Sequence, residues 1–179
     1  MEVTLRNITP EDAPMVAQIY AHYIRHTVAT FHETPKSVDG YLRQIKELSA
    51  VYPFLVAEAD GRFLGFANAE PFRPQSGYRY TAELTIYLHP DAPKHSGIGR
   101  KLYTALLTQL KELHYVNVLA CISGENESSI AFHRSFGFEE MAVFPKVAYK
   151  HDRWLDAVWM RKTLLSTEHS PEEPMRANG

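Results

Sequence analysis

The sequence predicts an α+β domain in which a mixed sheet is flanked by helices, in the order β-α-α-β-β-β-α-β-α-β-β. Three observations lead there. Asp60-Gly61 stands between two apolar runs, a strong hairpin signal, so the early strands pair as neighbours. Later strand patterns alternate with helical ones, so one strand, helix and strand form a right-handed crossover. The 179 residues, 45 % of them hydrophobic, suit one domain with a sizeable core, and no repeat or linker divides it.

The elements follow in order. Val3 to Asn7 alternates as a short strand. Thr9-Pro10-Glu11-Asp12 then supplies a capping hydroxyl, a proline for the first helical position and acids for the first turn. Met15, Val16, Ile19, Tyr20, Tyr23 and Ile24 recur at helical spacing, which carries this helix to about Arg25. Ser37 caps a second helix through about Leu48. Phe54 to Ala59 and Phe63 to Glu70 read as the hairpin strands, and Pro71 to Gly77 as a proline-broken loop. Tyr78 to Leu88 reads as a long strand. Its Ala82, Leu84, Ile86 and Leu88 form an aliphatic row, so Thr81, Glu83, Thr85 and Tyr87 face the other way. A helix runs from Gly97 past Leu110, Val116 to Ile122 is a buried-type strand, and Asn126 to Phe136 is a shorter helix stopped by Gly137. Glu139 to Lys150 and Trp154 to Leu164 read as the last two strands. The domain is expected to span residues 1–165, with a polar, disordered tail over 166–179.

Composition excludes several classes of function. A net charge of −2 offers no basic excess for nucleic acid, and no apolar run approaches the ~20 residues a membrane helix needs. The single cysteine, Cys121, rules out an internal disulfide and suits a reducing cytoplasm; it reads as a buried strand residue. His22 and His26 share a helix face but lack a third ligand, so no metal is expected.

Two polar features remain. Lys94-His95-Ser96-Gly97-Ile98-Gly99-Arg100 lies between a strand and a helix. Helix starts present unpaired N–H groups and a positive dipole end, and glycines let a phosphate approach them. The spacing fits neither a dinucleotide fingerprint nor a P-loop, so a tight structural turn stays open as the alternative. Asn126, Ser129 and His133 recur at spacings of three and four, a polar face on the next helix. Glu83 is then either a solvated strand carboxylate or one kept for chemistry.

Taken together, Glu83, Tyr87, His89-Pro90, Gly97-Ile98-Gly99, Asn126, Ser129, His133 and Gly137-Phe138 resemble the GNAT superfamily of N-acetyltransferases. Phe31, Pro71-Phe72-Arg73, Tyr78-Arg79-Tyr80-Thr81 and the run from Lys150 to Asp156 resemble its phosphinothricin and methionine sulfoximine branch. The resemblance implies a mostly antiparallel GNAT sheet, acetyl-CoA as donor and a homodimer, to which the aromatic-rich Tyr149 to Trp159 could contribute. It puts the pyrophosphate on Lys94, His95, Ser96, Gly97, Ile98, Gly99 and Arg100. The pantetheine arm falls along Ile86, Tyr87 and Leu88, where strands 4 and 5 splay, with Asn126 and Ser129 opposite. Lys94-His95 departs from the family, which usually has an arginine or glutamine and a glycine there; a histidine in that backbone shape carries strain if φ is positive.

In that reading Glu83 is the general base for an amine, and His133 stands where many members carry a tyrosine acid. Phe31, Arg73, Gln75, Tyr78, Glu83 and Thr85 surround the acceptor, with Arg73 pairing a substrate carboxylate. Gln75 replaces a second basic residue common in phosphinothricin enzymes. The expected acceptor is a small α-amino acid or analogue. A protein N-terminus, an aminoglycoside and a non-catalytic CoA sensor remain as alternatives.

Overall fold

The computed structural model describes residues 2–178; Met1 and Gly179, the outer ends of the expected domain and tail, lie outside them. The elements are β1 (Thr4–Asn7), α1 (Ala13–His26), α2 (Val38–Ser49), β2 (Phe54–Ala59), β3 (Arg62–Pro71), β4 (Thr81–Leu88), α3 (Ile98–Glu112), β5 (Asn117–Ser123), α4 (Glu127–Ser135), β6 (Glu139–Lys150) and β7 (Arg153–Thr163). This is the expected α+β order. One seven-stranded sheet has the order β1-β2-β3-β4-β5-β7-β6, and only β4 and β5 pair in parallel.

The sheet has two dry faces, and the strand alternation assigns them. Leu102, Leu106 and Leu110 of α3 pack on Leu55, Ala67, Ala82, Leu84 and Val118. Val16 and Ile19 of α1, with Tyr41 and Ile45 of α2, pack on Phe54, Val56 and Phe66. Each fully buried leucine or isoleucine stabilises the fold by about 1.5–3 kcal/mol. On β4, Ala82 and Leu84 serve the α3 face, which leaves Glu83, Thr85 and Tyr87 on the α1/α2 side.

Several boundaries differ from the sequence pattern, three of them for a visible local reason. β4 begins at Thr81, because Ser76–Tyr78 is a 3-10 turn closed by Tyr78 N–H on the Gln75 carbonyl and Arg79 N–H on that of Ser76. The alternating Tyr78 extends the strand pattern without joining the sheet, while Tyr80 reaches it only through its carbonyl, which accepts from Val116 and Asn117 N–H. α1 begins at Ala13, after a 3-10 turn over Pro10–Asp12. β7 starts one residue earlier than its pattern, at Arg153, because the turn is tightened by left-handed His151 and Asp152.

The described part of the tail, residues 166–178, lies against the domain. It has no helix or strand, yet the Glu173 carboxylate accepts from Arg79 at 2.6 and 2.9 Å and from the Tyr80 hydroxyl at 2.8 Å. Met175 N–H bonds the Leu113 carbonyl, and Ala177 N–H that of Val51.

Candidate active site

The site begins with a break in the sheet. β4 and β5 pair over only three rungs, from Thr81–Asn117 to Glu83–Leu119, and then diverge. Leu84 to Leu88 on one arm and Ala120 to Ile122 on the other line an open cleft of about 550 Å³. His89 N–H bonds back to the Leu64 carbonyl on β3. Ladder alternation therefore turns the N–H and C=O groups of Ile86 and Leu88 into the fork. The Tyr23 hydroxyl donates to the Leu88 carbonyl at 3.0 Å, which fixes one wall. Gly65 allows this geometry from behind, since a Cβ there would stand 2.6 Å from the Tyr87 carbonyl oxygen and 2.8 Å from Leu88 Cα.

The start of α3 adjoins the cleft. Lys101 N–H is the first to bond within the turn, to the Gly97 carbonyl, so the N–H groups of Ile98, Gly99 and Arg100 are not used by the helix. Gly97 has φ 78° and no side chain caps the helix, a conformation glycine adopts without cost. His95 has φ 57°, the left-handed backbone that the sequence departure made critical. Ser96 Oγ donates to the Pro93 carbonyl, and Lys94 is exposed. Arg100 turns toward α4, donating to Ser135 Oγ and lying 5.0 Å from the Phe136 ring centre, so its charge is directed away from the turn. Gly99 lines the cleft, packed between Phe132, Leu88 and Ile86.

The opposite wall is α4. Asn126 Oδ1 caps it by accepting from Ser129 N–H, and Asn126, Ser129 and His133 all line the cleft. His133 is buried among Tyr103, Phe132 and Phe138, with Nδ1 2.7 Å from the Ser129 carbonyl. A carbonyl only accepts, so Nδ1 carries the hydrogen. Nε2 is then bare, and burial holds the ring's pKa below its usual value. In that neutral form Nε2 is the ring's acceptor atom.

Glu83 stands at the last rung before the strands part, at the root of the fork. It is half-buried, and its pKa is pushed up to about 7, first by burial and then by the carboxylate of Glu70, against a lowering by Arg73. Glu70 is its directly opposed partner on β3. Cys121 faces the same region; burial and then Glu83 push its thiol up to about 12, which leaves no thiolate for nucleophilic chemistry near neutral pH.

The side of Glu83 that faces Arg73 is built from side chains. The Arg73 guanidinium lies 4.6 Å from the centre of the Phe72 ring, and Phe72 meets Tyr78 and Trp159 edge-on. Tyr78 and Gln75 are exposed. Phe31 is half-buried in the loop after α1. Its neighbour Thr30 is held through its carbonyl by the buried Lys150 Nζ at 2.7 Å. Thr85 lines the cleft beside Tyr87.

Sequence reasoning missed Glu70, Tyr23, Gly65 and Trp159. Only Glu70 carries a local signal, a carboxylate closing an otherwise apolar strand. No group of three metal-ligating side chains comes together among the described residues, and no described helix is long and apolar enough to cross a membrane.

Residues 5–159 match the family of acetyltransferase (GNAT) domains. The chain is 36 % identical over 163 residues to a phosphinothricin N-acetyltransferase of Alcaligenes faecalis, covering 90 % of this chain and 82 % of the relative. It is 33 % identical to an L-methionine sulfoximine/L-methionine sulfone acetyltransferase of Salmonella typhimurium, covering 90 % of this chain and 95 % of that one. The crystal structure of a phosphinothricin acetyltransferase from Sinorhizobium meliloti, in complex with acetyl-CoA, superposes with a TM-score of 0.92 at 34 % identity over 99 % of this chain and 97 % of the other. A parallel pair forced open beside a glycine-started helix, matched along nearly its whole length by these proteins, places the chain in the GNAT acetyltransferase superfamily.

Proposed function

We propose that this protein moves the acetyl group of acetyl-CoA to the α-amino group of a small amino acid or analogue of the phosphinothricin, methionine sulfoximine or methionine sulfone type. One observation carries the reading. Glu83 stands where the open backbone of the fork meets the Arg73 side, half-buried and with a pKa near neutral.

The donor's requirements fit the residues present. The unused N–H groups at Ile98, Gly99 and Arg100 suit a pyrophosphate, and the free edge of Ile86 and Leu88 suits the amide groups of a pantetheine arm, bound as an added strand. Asn126 and Ser129 close the other side. The acceptor's carboxylate pairs with Arg73, which leaves its ammonium toward Glu83. An amino acid's amine is mostly protonated at neutral pH, its pKa lying above the ~8 of a peptide terminus. Glu83 takes that proton, directly or through water, and the freed amine attacks the thioester carbon. The Leu88 N–H then faces the oxygen on which charge develops. Thiolate departs readily, since a thiol pKa is ~8.5, so no proton from His133 is required. Direct transfer leaves Cys121 without a chemical role.

Met141, Val143, Phe144, Val147, Tyr149 and Trp154 leave a large apolar surface exposed on the β6–β7 hairpin. We assign this face to a homodimer, which sedimentation at micromolar concentration checks. One cysteine and no disulfide suit a reducing compartment, taken here as the cytoplasm.

The test is CoA release from acetyl-CoA, followed with a thiol reagent, against phosphinothricin, methionine sulfoximine, methionine sulfone and the standard amino acids. Turnover with at least one of them is expected. Tight acetyl-CoA binding without turnover on any of them would overturn the amino-acid reading and move the search to peptides, aminoglycosides or a sensing role.

A further inference from the structure

Glu70 is a carboxylate for which the transfer just described has no task. It stands opposite Glu83 in the antiparallel β3–β4 ladder, between the pairs Ala69–Leu84 and Pro71–Ala82. Directly opposed residues share a face, with Cβ atoms about 4.5–5.5 Å apart. Phe66, Asn68 and Glu70 alternate along β3, and Phe66 is buried under α1 and α2, so Glu70 and Glu83 both look to the α1/α2 side. Like charges directly opposed on a sheet are normally destabilising. Neither carboxylate is in an ion pair among the described residues that would offset the repulsion.

The charges and titratable groups around the pair come from every element packed near it. Arg73 acts on Glu83 from the β3–β4 loop, and Cys121 faces it from β5. Lys36, from the segment before α2, acts on Glu70 over a longer range and is itself engaged by Gln44. Tyr20 of α1, Tyr52 after α2 and Tyr87 of β4 feel the Glu70 charge as neutral phenols. The one positive group acting on Glu83 is therefore Arg73, which the proposed reaction commits to the acceptor's carboxylate. A bound substrate would neutralise it. Glu83 would then be left facing Glu70.

We propose that Glu70 acts through Glu83 as a second, non-reacting carboxylate, whose charge keeps Glu83 basic and draws the acceptor's ammonium to the root of the fork. Glu70 is a positioning residue in this scheme. The proton of the ammonium goes to Glu83, and Glu70 exchanges none. The inference rests on the reading of Glu83 as the base.

The experiment reads Glu83 directly. Protein labelled with carbon-13 at the glutamate carboxyl carbons is titrated by NMR, with the Glu83 signal identified by its loss in Glu83→Gln. The Glu83 midpoint should fall by about half a pH unit or more in Glu70→Gln, through the loss of a like charge, and stay near the wild-type value in Glu70→Asp. The acid limb of kcat/KM with methionine sulfoximine should move with it. An unmoved Glu83 midpoint in Glu70→Gln would overturn the coupling, as would an equal fall in Glu70→Asp, which would make the effect one of shape. The parent reading fails separately: Glu83→Gln would then keep wild-type turnover whatever the titration shows. Unchanged melting of Glu70→Gln near pH 5 and unchanged acetyl-CoA binding separate the effect from misfolding.

Discussion

The two halves of the site are built from different materials. On the proposed donor side, the fork and the start of α3 offer backbone groups: the N–H row from Ile98 to Arg100 and the edge of Ile86 and Leu88 that faces away from β3. On the proposed acceptor side, Arg73, Tyr78, Glu83 and the edge-on Phe72–Trp159 pair offer side chains, several of them exposed. A backbone site survives substitution as long as the chain keeps its path. That is how Lys94 and His95 can stand where the family usually has other residues: the path is kept, with His95 in the left-handed region. A side-chain site changes with each residue, and Gln75 is such a change. In the proposed reaction, donor binding is therefore the half less sensitive to single residues, and acceptor choice the adjustable half.

The largest effect should come from the group between the halves. Glu83→Gln should lower kcat by roughly 10²–10⁴-fold while acetyl-CoA binding, measured by calorimetry, stays as it was. The same variant has a pH signature in stability. The Glu83 pKa is raised in the folded protein to about 7 from the usual 4.5. Its contribution is thus fully present below about 4.5 and is lost as pH rises through 7. Glu83→Gln should be the more stable protein at pH 8, by on the order of 2 kcal/mol after allowing for solvent screening, and equal to wild type near pH 4. Thermal melts at the two pH values check this. A stability gap independent of pH would mean that Glu83 is an ordinary surface carboxylate.

Next comes Arg73→Ala. Losing a charge-assisted pair worth about 1.5–3 kcal/mol should raise the acceptor KM by roughly 10–100-fold, with the acetyl-CoA Kd unchanged. If both constants rise together, the halves are not separable and the comparison fails. Its counterpart is Gly97→Ala. A side chain at φ 78° costs roughly 1–2 kcal/mol, which the turn relieves by moving its N–H groups. The acetyl-CoA Kd should rise by about tenfold, and the acceptor KM at saturating acetyl-CoA should hold. An Arg73-like pattern from Gly97→Ala would show that the turn serves the acceptor.

How much of this could be read from the sequence follows the same division. Backbone features left marks in residue type: Gly97 and the helix pattern after it, and the alternation that put Glu83 opposite the aliphatic row. Two things left none. The pairing of Glu70 with Glu83 depends on the register of a hairpin whose loop hides a 3-10 turn at Ser76–Tyr78, so that strand parity could not be carried across it. The tautomer of His133 depends on a carbonyl one helical turn back, which no side-chain pattern encodes. The opening of β4 from β5 was expected only through the family resemblance, because three rungs of pairing and five look alike in an apolar strand.

The smallest effect tests how far the acceptor half extends. Arg79 and Tyr80 join the loop bearing Arg73 and Tyr78 to the first residue of β4, and Glu173 from the tail holds both. The two partners hold the Glu173 carboxyl down to about 2. The clamp is therefore intact above the ordinary carboxylate pKa and is lost only as pH falls toward 2, so no acid loss of activity near pH 5 should come from it. Its two charged members, Arg79 and Glu173, are exposed, which limits what it contributes. Glu173→Gln should raise the acceptor KM by at most about threefold, the scale of an exposed ion pair, and leave kcat and the acetyl-CoA Kd alone. Raising salt to 1 M should reproduce most of that change in wild type and add little in the variant. A tenfold KM effect would extend the acceptor half into the tail, which would then be part of the site's frame; an effect on acetyl-CoA instead would mean that the tail acts through α3, whose end it also touches at Leu113.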